Sequence, residues 1–313
     1  MMKSEKIESM PVSAAELQEI SAFISEENND NIINPSYLKW WYFRKPNQSW
    51  SFYKVLFNDH LAAIATTNNF SFKYGNNIVK VAMPQKVLTK SSLRGKGLFS
   101  TAYFATEDNN IEEGVDFFLT FTNAASTPIF TNKFKYSFGQ APKLKISFSL
   151  PHHVFRQSYA KIVDDIPLTF YDRKIVTANN GIIKDASYIQ WRYLNYLPND
   201  YLIIELGNRE NEKSYAILKE RRLKKINILM LMDFLTHKKE NIRPHLNLLR
   251  YWTSKKQYLG LLYIENSLLK NNIPLGLNTF KRFNFLVKGT HIHRQENIEK
   301  VNFNFFLGDL DFL

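Results

Sequence analysis

A short aromatic motif occurs twice in this chain, and the second copy begins 151 residues after the first. Residues 37–42 read YLKWWY, and residues 188–193 read YIQWRY. In each copy a strand-like segment follows, which for the first copy is Trp50–Phe57. A repeat at about half of the 313-residue length predicts two copies of one structural plan, and this length suits two domains. We therefore predict tandem domains at residues 1–150 and 151–313.

A loop with two glycines joins a strand-like segment to a helix-like segment in the first copy. Residues 78–89 are rich in β-branched side chains, and residues 98–113 carry apolar or small residues at helical spacing. A strand that turns through glycines into a helix N-terminus presents several backbone N–H groups in one direction, which suits a phosphate or pyrophosphate. The glycines and the basic residues beside them are Arg94, Gly95, Lys96 and Gly97.

Composition excludes several classes of protein. The chain has no cysteine, so disulfides, zinc–thiolate sites and thiol nucleophiles are absent. No segment reaches the ~18–20 uncharged apolar residues of a membrane span, and the N-terminus lacks the apolar core of a signal peptide. We expect a cytoplasmic protein, and the many Asn, Lys, Ile and Phe residues suggest an AT-rich bacterial genome. The net charge of +12 predicts an anionic partner, but the basic residues are too scattered for a nucleic-acid groove.

The loop resembles that of the GNAT superfamily of acyl-coenzyme A N-acyltransferases, which reads basic-x-x-Gly-x-Gly/Ala. Here the register runs from Ser92 to Gly97, with Ser92 where Arg or Gln is usual. A second similarity is the predicted strand Phe117–Thr122, which runs into Asn123. The family has an Asn where its fourth and fifth strands splay and the pantetheine arm enters. The Gly-Phe pair that usually ends the next segment reads Lys135-Tyr136 here.

The resemblance, which covers residues 35–140, implies an α+β fold with two GNAT-like domains, each a twisted mixed sheet flanked by helices. It implies acyl-coenzyme A as cosubstrate and no metal. Gln85 and Val87 fall where the family holds the pantetheine and polarises the thioester carbonyl, so Gln85 is also a catalytic candidate. The full implied cofactor site comprises Gln85, Val87, Leu88, Arg94, Gly95, Lys96, Gly97, Leu98, Phe99 and Asn123. The second half lacks a Gly-x-Gly pair, so it is predicted to be degenerate and to shape the acceptor cleft.

Acid and base groups are harder to assign. The segment from Phe70 to Ser92 contains no Asp, Glu or His, although many family members use a carboxylate there. The usual tyrosine acid falls on Phe130 or Thr131. The remaining base candidates are His60, Asp309 and the neighbouring Asp311, and proton transfer through solvent stays open.

The repeated aromatic motif has two interpretations. Its rings pack in the core, or they stack on a nucleotide base or a sugar while a guanidinium reaches a phosphate. The second interpretation gives four substrate-binding candidates, Trp40, Tyr42, Trp191 and Arg192. A separate pair, His291 and His293, has no third ligand in sight and is not interpreted as a metal site.

The architecture is similar to that of bacterial N-acyltransferases of surface-polysaccharide synthesis (O-antigen or capsule). This similarity implies transfer of an acyl group from acyl-coenzyme A to the amino group of a dTDP- or UDP-linked deoxyamino sugar. Three alternatives remain open: a Fem-type transferase that uses aminoacyl-tRNA, an acetyltransferase for protein or polyamines, and a non-catalytic binding protein with a relict loop. The acyl chain, the sugar and the oligomeric state stay open as well.

Overall fold

The helices and strands belong to a computed structural model, which describes residues 6–29, 33–46, 50–150, 158–195, 200–208, 212–223, 225–273, 276–279, 283–290 and 297–310. The helices are α1 Leu17–Asn28, α2 Pro35–Leu38, α3 Leu98–Glu112, α4 Thr127–Asn132, α5 Ala186–Ile189 and α6 Ile242–Lys255. Strands of the first half are β1 Ile7–Pro11, β2 Trp50–Phe57, β3 His60–Tyr74, β4 Asn77–Pro84, β5 Leu88–Thr89, β6 Phe117–Thr122, β7 Ser137–Phe138 and β8 Lys143–Phe148. Those of the second half are β9 Tyr159–Val163, β10 Gly181–Ile182, β11 Tyr201–Gly207, β12 Lys213–Leu223, β13 Ile226–Thr236, β14 Gly260–Glu265, β15 Leu277–Asn278 and β16 Asn284–Gly289. Across the described ranges, no helix has the length and apolar character to cross a membrane.

Two mixed sheets follow the same plan. The first has the order β1-β2-β3-β4-β6-β16-β7, with β5 and β10 also paired to β3. The second has the order β15-β8-β14-β13-β12-β11-β9. Each contains a short parallel pair, β4 with β6 and β13 with β14, while its other pairs are antiparallel. The predicted α+β class, with mixed sheets flanked by helices, is confirmed.

The two sheets exchange strands: the first sheet contains β10 and β16 of the second half, and the second sheet contains β8 of the first half. Strand β8, which precedes residue 150, pairs with β14 of the second sheet. Strand β16, from near the end of the chain, pairs along its whole length with β6 of the first sheet. Its Phe285 and Val287 side chains are 1 % exposed and belong to the main core. The domain limits 1–150 and 151–313 remain a prediction, and strand pairing crosses that boundary in both directions.

The repeated aromatic motif packs the two halves against each other. Trp40 Nε1 donates to the Trp191 carbonyl oxygen at 2.6 Å, and Trp191 Nε1 donates to the Trp40 carbonyl oxygen at 2.8 Å. Each copy follows a capped helical turn, because the side chain of Asn34 accepts from the Tyr37 N–H group and that of Asp185 from the Tyr188 N–H group. The 151-residue repeat therefore forms a near-symmetric contact in the core.

Replacing Lys135 by Gly is expected to stabilise the protein. The φ of +62° at Lys135 lies in the left-handed region, which favours Gly. A side chain there costs roughly 1–2 kcal/mol, so Lys135→Gly should raise the free energy of unfolding by about 0.5–1 kcal/mol after the entropy of Gly is counted. Urea denaturation measures the change. Lys133→Gly is the control: the φ of Lys133 is −93°, so Gly at this position should only lower the free energy of unfolding. An equal decrease in the free energy of unfolding in both variants would contradict the expected stabilisation.

His245 is expected to make stability fall in mild acid. Burial lowers the pKa of this imidazole to about 4, and its Nδ1 lies 2.7 Å from Ser214 Oγ. Between pH 4 and about 6.5 the unfolded chain binds a proton that the folded chain does not, so the free energy of unfolding should rise with pH by up to ~1.4 kcal/mol per unit. Denaturation curves from pH 4 to 7 test this. His245→Asn should flatten that slope, and an unchanged slope in this variant would contradict the assignment to His245.

Candidate functional site

The glycine loop forms an open cradle of backbone N–H groups. Gly95 and Gly97 have φ values of +88° and +80°, and the space above each α-carbon is open. Helix α3 begins directly after Gly97, whose carbonyl oxygen accepts from the N–H groups of Ser100 and Thr101. Because the first N–H groups of a helix have no acceptor within it, those of Leu98 and Phe99 are directed to the loop. This arrangement suits an anion.

A buried carboxylate contacts both the segment before the loop and the loop itself. Glu27 of α1 accepts from the Ser91 N–H group at 2.8 Å and lies 4.0 Å from the Arg94 guanidinium. The Arg94 side chain is 63 % exposed, so its charge stays available at the surface. Lys96 Nζ lies 4.7 Å from the centre of the Phe57 ring, which holds this ammonium at the same edge of the sheet. Two cations therefore flank the cradle.

Strands β4 and β6 diverge next to the loop. They are paired only at Val81–Phe117 and Ala82–Phe118. Beyond Pro84 the chain bends toward β3, and Lys90 donates its N–H group to Ala62 at 2.8 Å. Strand β5 then pairs with β3, Leu88 with Ile64 and Thr89 with Ala63, and Val87 lies between the bend and β5.

The opening is a cavity of about 370 Å³. It is lined by four of the predicted residues, Gln85, Val87, Phe99 and Asn123, together with Thr120, Phe121, Thr122, Ser126, Phe130 and Phe283. The Asn123 side-chain oxygen is engaged by the N–H groups of Ala125 and Ser126 at 3.0 and 2.9 Å, so its NH₂ group is the polar end that remains. Phe283 directly precedes β16, so the strand exchange brings the second half to this cavity.

The predicted base His60 does not reach this cavity. His60 is exposed at the start of β3, six residues before Thr66, whose carbonyl oxygen binds the Gln85 N–H group. Six strand residues span about 20 Å, which is far beyond hydrogen-bond reach. Asp311, His291 and His293 lie outside the described residues.

Asp309 is a structural ion-pair partner and not an acid–base group of this cavity. Its carboxylate is 2.9 Å from Lys184 Nζ and accepts from the Tyr188 hydroxyl at 3.0 Å. The same ammonium lies 2.5 Å from Asp233, a carboxyl whose pKa is raised by burial. All three charged groups are buried in the second half. Asp309 does not line the 370 Å³ cavity, and its role as a base stays a prediction.

The four aromatic-motif candidates divide into two groups. Trp40, Tyr42 and Arg192 are at most 5 % exposed, which favours core packing. Trp191 instead lines a cavity of about 810 Å³ at the seam between the halves. Other residues of that wall are Lys45, Asn69, Phe70, Lys80, Glu113, Asp116, Asp185 and Tyr188.

Sequence reasoning missed two side chains around Gln85. Trp41 donates its indole N–H to Gln85 Oε1 at 2.6 Å. Thr66 contributes its hydroxyl oxygen, which accepts from the Lys86 N–H group at 3.0 Å and lies 2.7 Å from the Tyr42 hydroxyl. The repeat in the sequence includes Trp41, but it does not indicate that Trp41 bonds to Gln85. Thr66 lies within an unremarkable strand, and no local signal marks it.

Comparison with solved structures identifies the fold. A GCN5-related N-acetyltransferase from Anabaena variabilis superposes with a TM-score of 0.70 at 12% identity, over 92% of this chain and 74% of that one. A GCN5-related N-acetyltransferase from Kribbella flavida superposes with a TM-score of 0.65 at 10% identity, over 91% of this chain and 71% of that one. Eis1 from Mycobacterium abscessus superposes with a TM-score of 0.62 at 8% identity, over 91% of this chain and 73% of that one. No family model and no curated protein matches the sequence. The chain has the GNAT fold.

Proposed function

We propose that this protein is an acyl-coenzyme A-dependent N-acyltransferase with one cofactor site, in its first half. The observation that carries the proposal is the loop of two left-handed glycines at the start of α3, beside the opening between β4 and β6. A cradle of N–H groups next to a narrow cleft suits a ligand with a pyrophosphate and a long, thin arm. The fold of the N-acetyltransferases that it resembles adds support.

The residues present fit coenzyme A. The loop from Arg94 to Phe99 would hold the pyrophosphate through backbone N–H groups, with Arg94 and Lys96 adding charge. The Val87 N–H group and the Asn123 amide would bind the carbonyl groups of the pantetheine arm. Acyl-coenzyme A supplies the activated acyl group, and these residues bind and orient it.

The second half supports a single site per chain, because its own tail occupies the equivalent opening. Asn266 follows β14 as Asn123 follows β6, and its side-chain oxygen accepts from the N–H groups of Leu268 and Leu269 in the same kind of turn. Its Nδ2 donates to the Phe305 carbonyl oxygen at 3.0 Å. The C-terminal segment 303–310 thus takes the place that we assign to pantetheine in the first half.

Calorimetric titration with acetyl-coenzyme A tests the proposal. The wild type should bind one equivalent, with a heat signal that weakens as salt rises because charged groups hold the phosphates. Coenzyme A without an acyl group should compete for the same site. No binding by protein that unfolds cooperatively would reject the proposal and favour a scaffold with a relict loop, or a Fem-type enzyme if tRNA binds instead.

For the acceptor, we propose an amino sugar linked to a nucleotide, bound in the large seam cavity. Its aromatic wall, formed by Phe70, Tyr188 and Trp191, suits a sugar face or a base. Trp191 of this wall stacks on Trp41, with ring centres 5.0 Å apart, and Trp41 in turn donates to Gln85 Oε1. Acyl transfer to dTDP- and UDP-amino sugars, with spermidine and a lysine peptide as rivals, tests this choice. Turnover of the rivals alone would overturn it.

A further inference from the structure

The backbone N–H groups at the bend after β4 already have protein partners. That of Gln85 donates to the Thr66 carbonyl oxygen at 3.0 Å, and that of Lys86 donates to Thr66 Oγ1 at 3.0 Å. A donor for a ligand carbonyl placed beside Gln85 therefore has to come from another group. The Gln85 side chain can supply such a donor, since it lines the 370 Å³ cavity and is only half-buried.

Trp41 fixes which end of the Gln85 amide faces the cavity. An indole N–H only donates, so the Gln85 atom 2.6 Å from Trp41 Nε1 is the oxygen. The Tyr42 hydroxyl approaches the same oxygen at 3.5 Å. The two N–H donors of Nε2 are then the polar groups that this side chain still offers.

Trp41 is itself held firmly. Its side chain is 1 % exposed and stacks on Trp191, with ring centres 5.0 Å apart and planes inclined by 28°. Asn68 Nδ2 donates to the Trp41 carbonyl oxygen at 3.1 Å. Because the Trp41 N–H group is fixed, it keeps the Gln85 amide in one orientation before a ligand binds. Donors that are oriented in advance in this way stabilise negative charge that develops on a substrate oxygen.

We infer that the Gln85 side-chain amide, and not a backbone N–H group, donates the hydrogen bond to the thioester carbonyl oxygen, and that Trp41 is its positioning residue. The inference rests on the proposed function, because the carbonyl belongs to the acyl group of bound acyl-coenzyme A. Neither the Arg94–Gly97 loop nor the turn at Asn123 takes part in this hydrogen bond to the thioester carbonyl oxygen.

Binding to two matched ligands tests the inference without any turnover. Acetyl-coenzyme A carries the carbonyl oxygen, whereas S-ethyl-coenzyme A is a thioether of similar size without it. The ratio of their dissociation constants measures the carbonyl preference. One neutral hydrogen bond should make that preference about three- to tenfold in the wild type. Gln85→Glu, which still accepts from Trp41 but offers no donor at neutral pH, and Gln85→Met should both bring the ratio close to 1.

Trp41→Phe keeps an aromatic ring but removes the N–H group, so it should reduce the preference in the wild-type background and leave it unchanged in Gln85→Met. A double-mutant cycle of this kind separates positioning from packing. Trp40→Phe is the matched control, because it also removes a buried indole hydrogen bond, to Trp191 at 2.6 Å, without contacting Gln85. It should lower stability and keep the preference.

Two results would overturn the inference while the proposed function stands. A preference that survives in both Gln85 variants would place the donor elsewhere, and a preference that survives in Trp41→Phe would remove the positioning role. If neither ligand binds folded wild-type protein, the proposed function fails and the inference fails with it. Thermal unfolding of every variant shows whether a loss of binding is a loss of fold.

Discussion

Gly97→Asp should abolish the binding of acetyl-coenzyme A while the protein stays folded. The left-handed φ of +80° at this position and the open space above its α-carbon place a new carboxylate in the cradle proposed for the pyrophosphate. Like charges repel there, and the loss of charge-assisted hydrogen bonds adds to the effect, so the affinity should fall by at least about 100-fold. Isothermal titration at low salt measures the change.

Gly114→Asp is the matched control for that variant. Gly114 has a φ of +77° and equally open space above its α-carbon, but it lies just beyond the other end of α3. The two substitutions therefore share the strain of a side chain in the left-handed region, about 1–2 kcal/mol. Only the Gly97 variant should lose binding. Equal losses would show that strain, and not the position of the charge, controls affinity.

The two halves are expected not to fold separately. A fragment of residues 1–150 lacks β16, which pairs with β6 over six residues and contributes Phe285 and Val287 to the core. A fragment of residues 151–313 lacks β8, the partner of β14. Each fragment exposes an unpaired central strand edge and loses large buried side chains, so each should aggregate or show no cooperative unfolding transition. Circular dichroism during heating distinguishes these states.

Co-expression gives the complementary result. Residues 1–150 and 151–313, produced together as two chains, should co-purify. The second chain supplies β16 to the first sheet, and the first chain supplies β8 to the second sheet. The assembled pair should unfold in one transition, like the intact chain. A monomeric 1–150 fragment with a cooperative transition of its own would contradict this expectation and would favour domains that are independent of the exchange.

Local features of the site were predictable from the sequence. The strand expected at residues 117–122 is β6, and the helix expected at residues 98–113 is α3, which ends one residue earlier. The left-handed conformation of Gly95 and Gly97 follows from the same short segment. These features depend on neighbouring residues, namely on side-chain periodicity and on glycines at a turn, so a local pattern contains the information.

Partner choice over long distances was not predictable. Strand β16 looks like any other apolar strand in sequence, and nothing in it indicates that its partner is β6 and not a strand of its own half. The contacts of Asp309 with Lys184 and Tyr188 are likewise set by the fold and have no signal in its residue type. The indole of Trp41 lies 44 residues from Gln85 in sequence, so their hydrogen bond has no local signature.

The tail of the chain has a consequence for how the second half is stabilised. Segment 303–310 forms hydrogen bonds with Asn266 and Ser267 in the opening after β14, and Gly308 lies so close to β13 that an added Cβ would be 2.8 Å from the Met232 carbonyl oxygen. A diffusible ligand stabilises a fold only when it is abundant, whereas a covalently attached one is present at a fixed effective concentration. Segment 303–310 therefore contributes its contacts to the stability of the second half at a fixed effective concentration, whatever the concentration of a diffusible ligand.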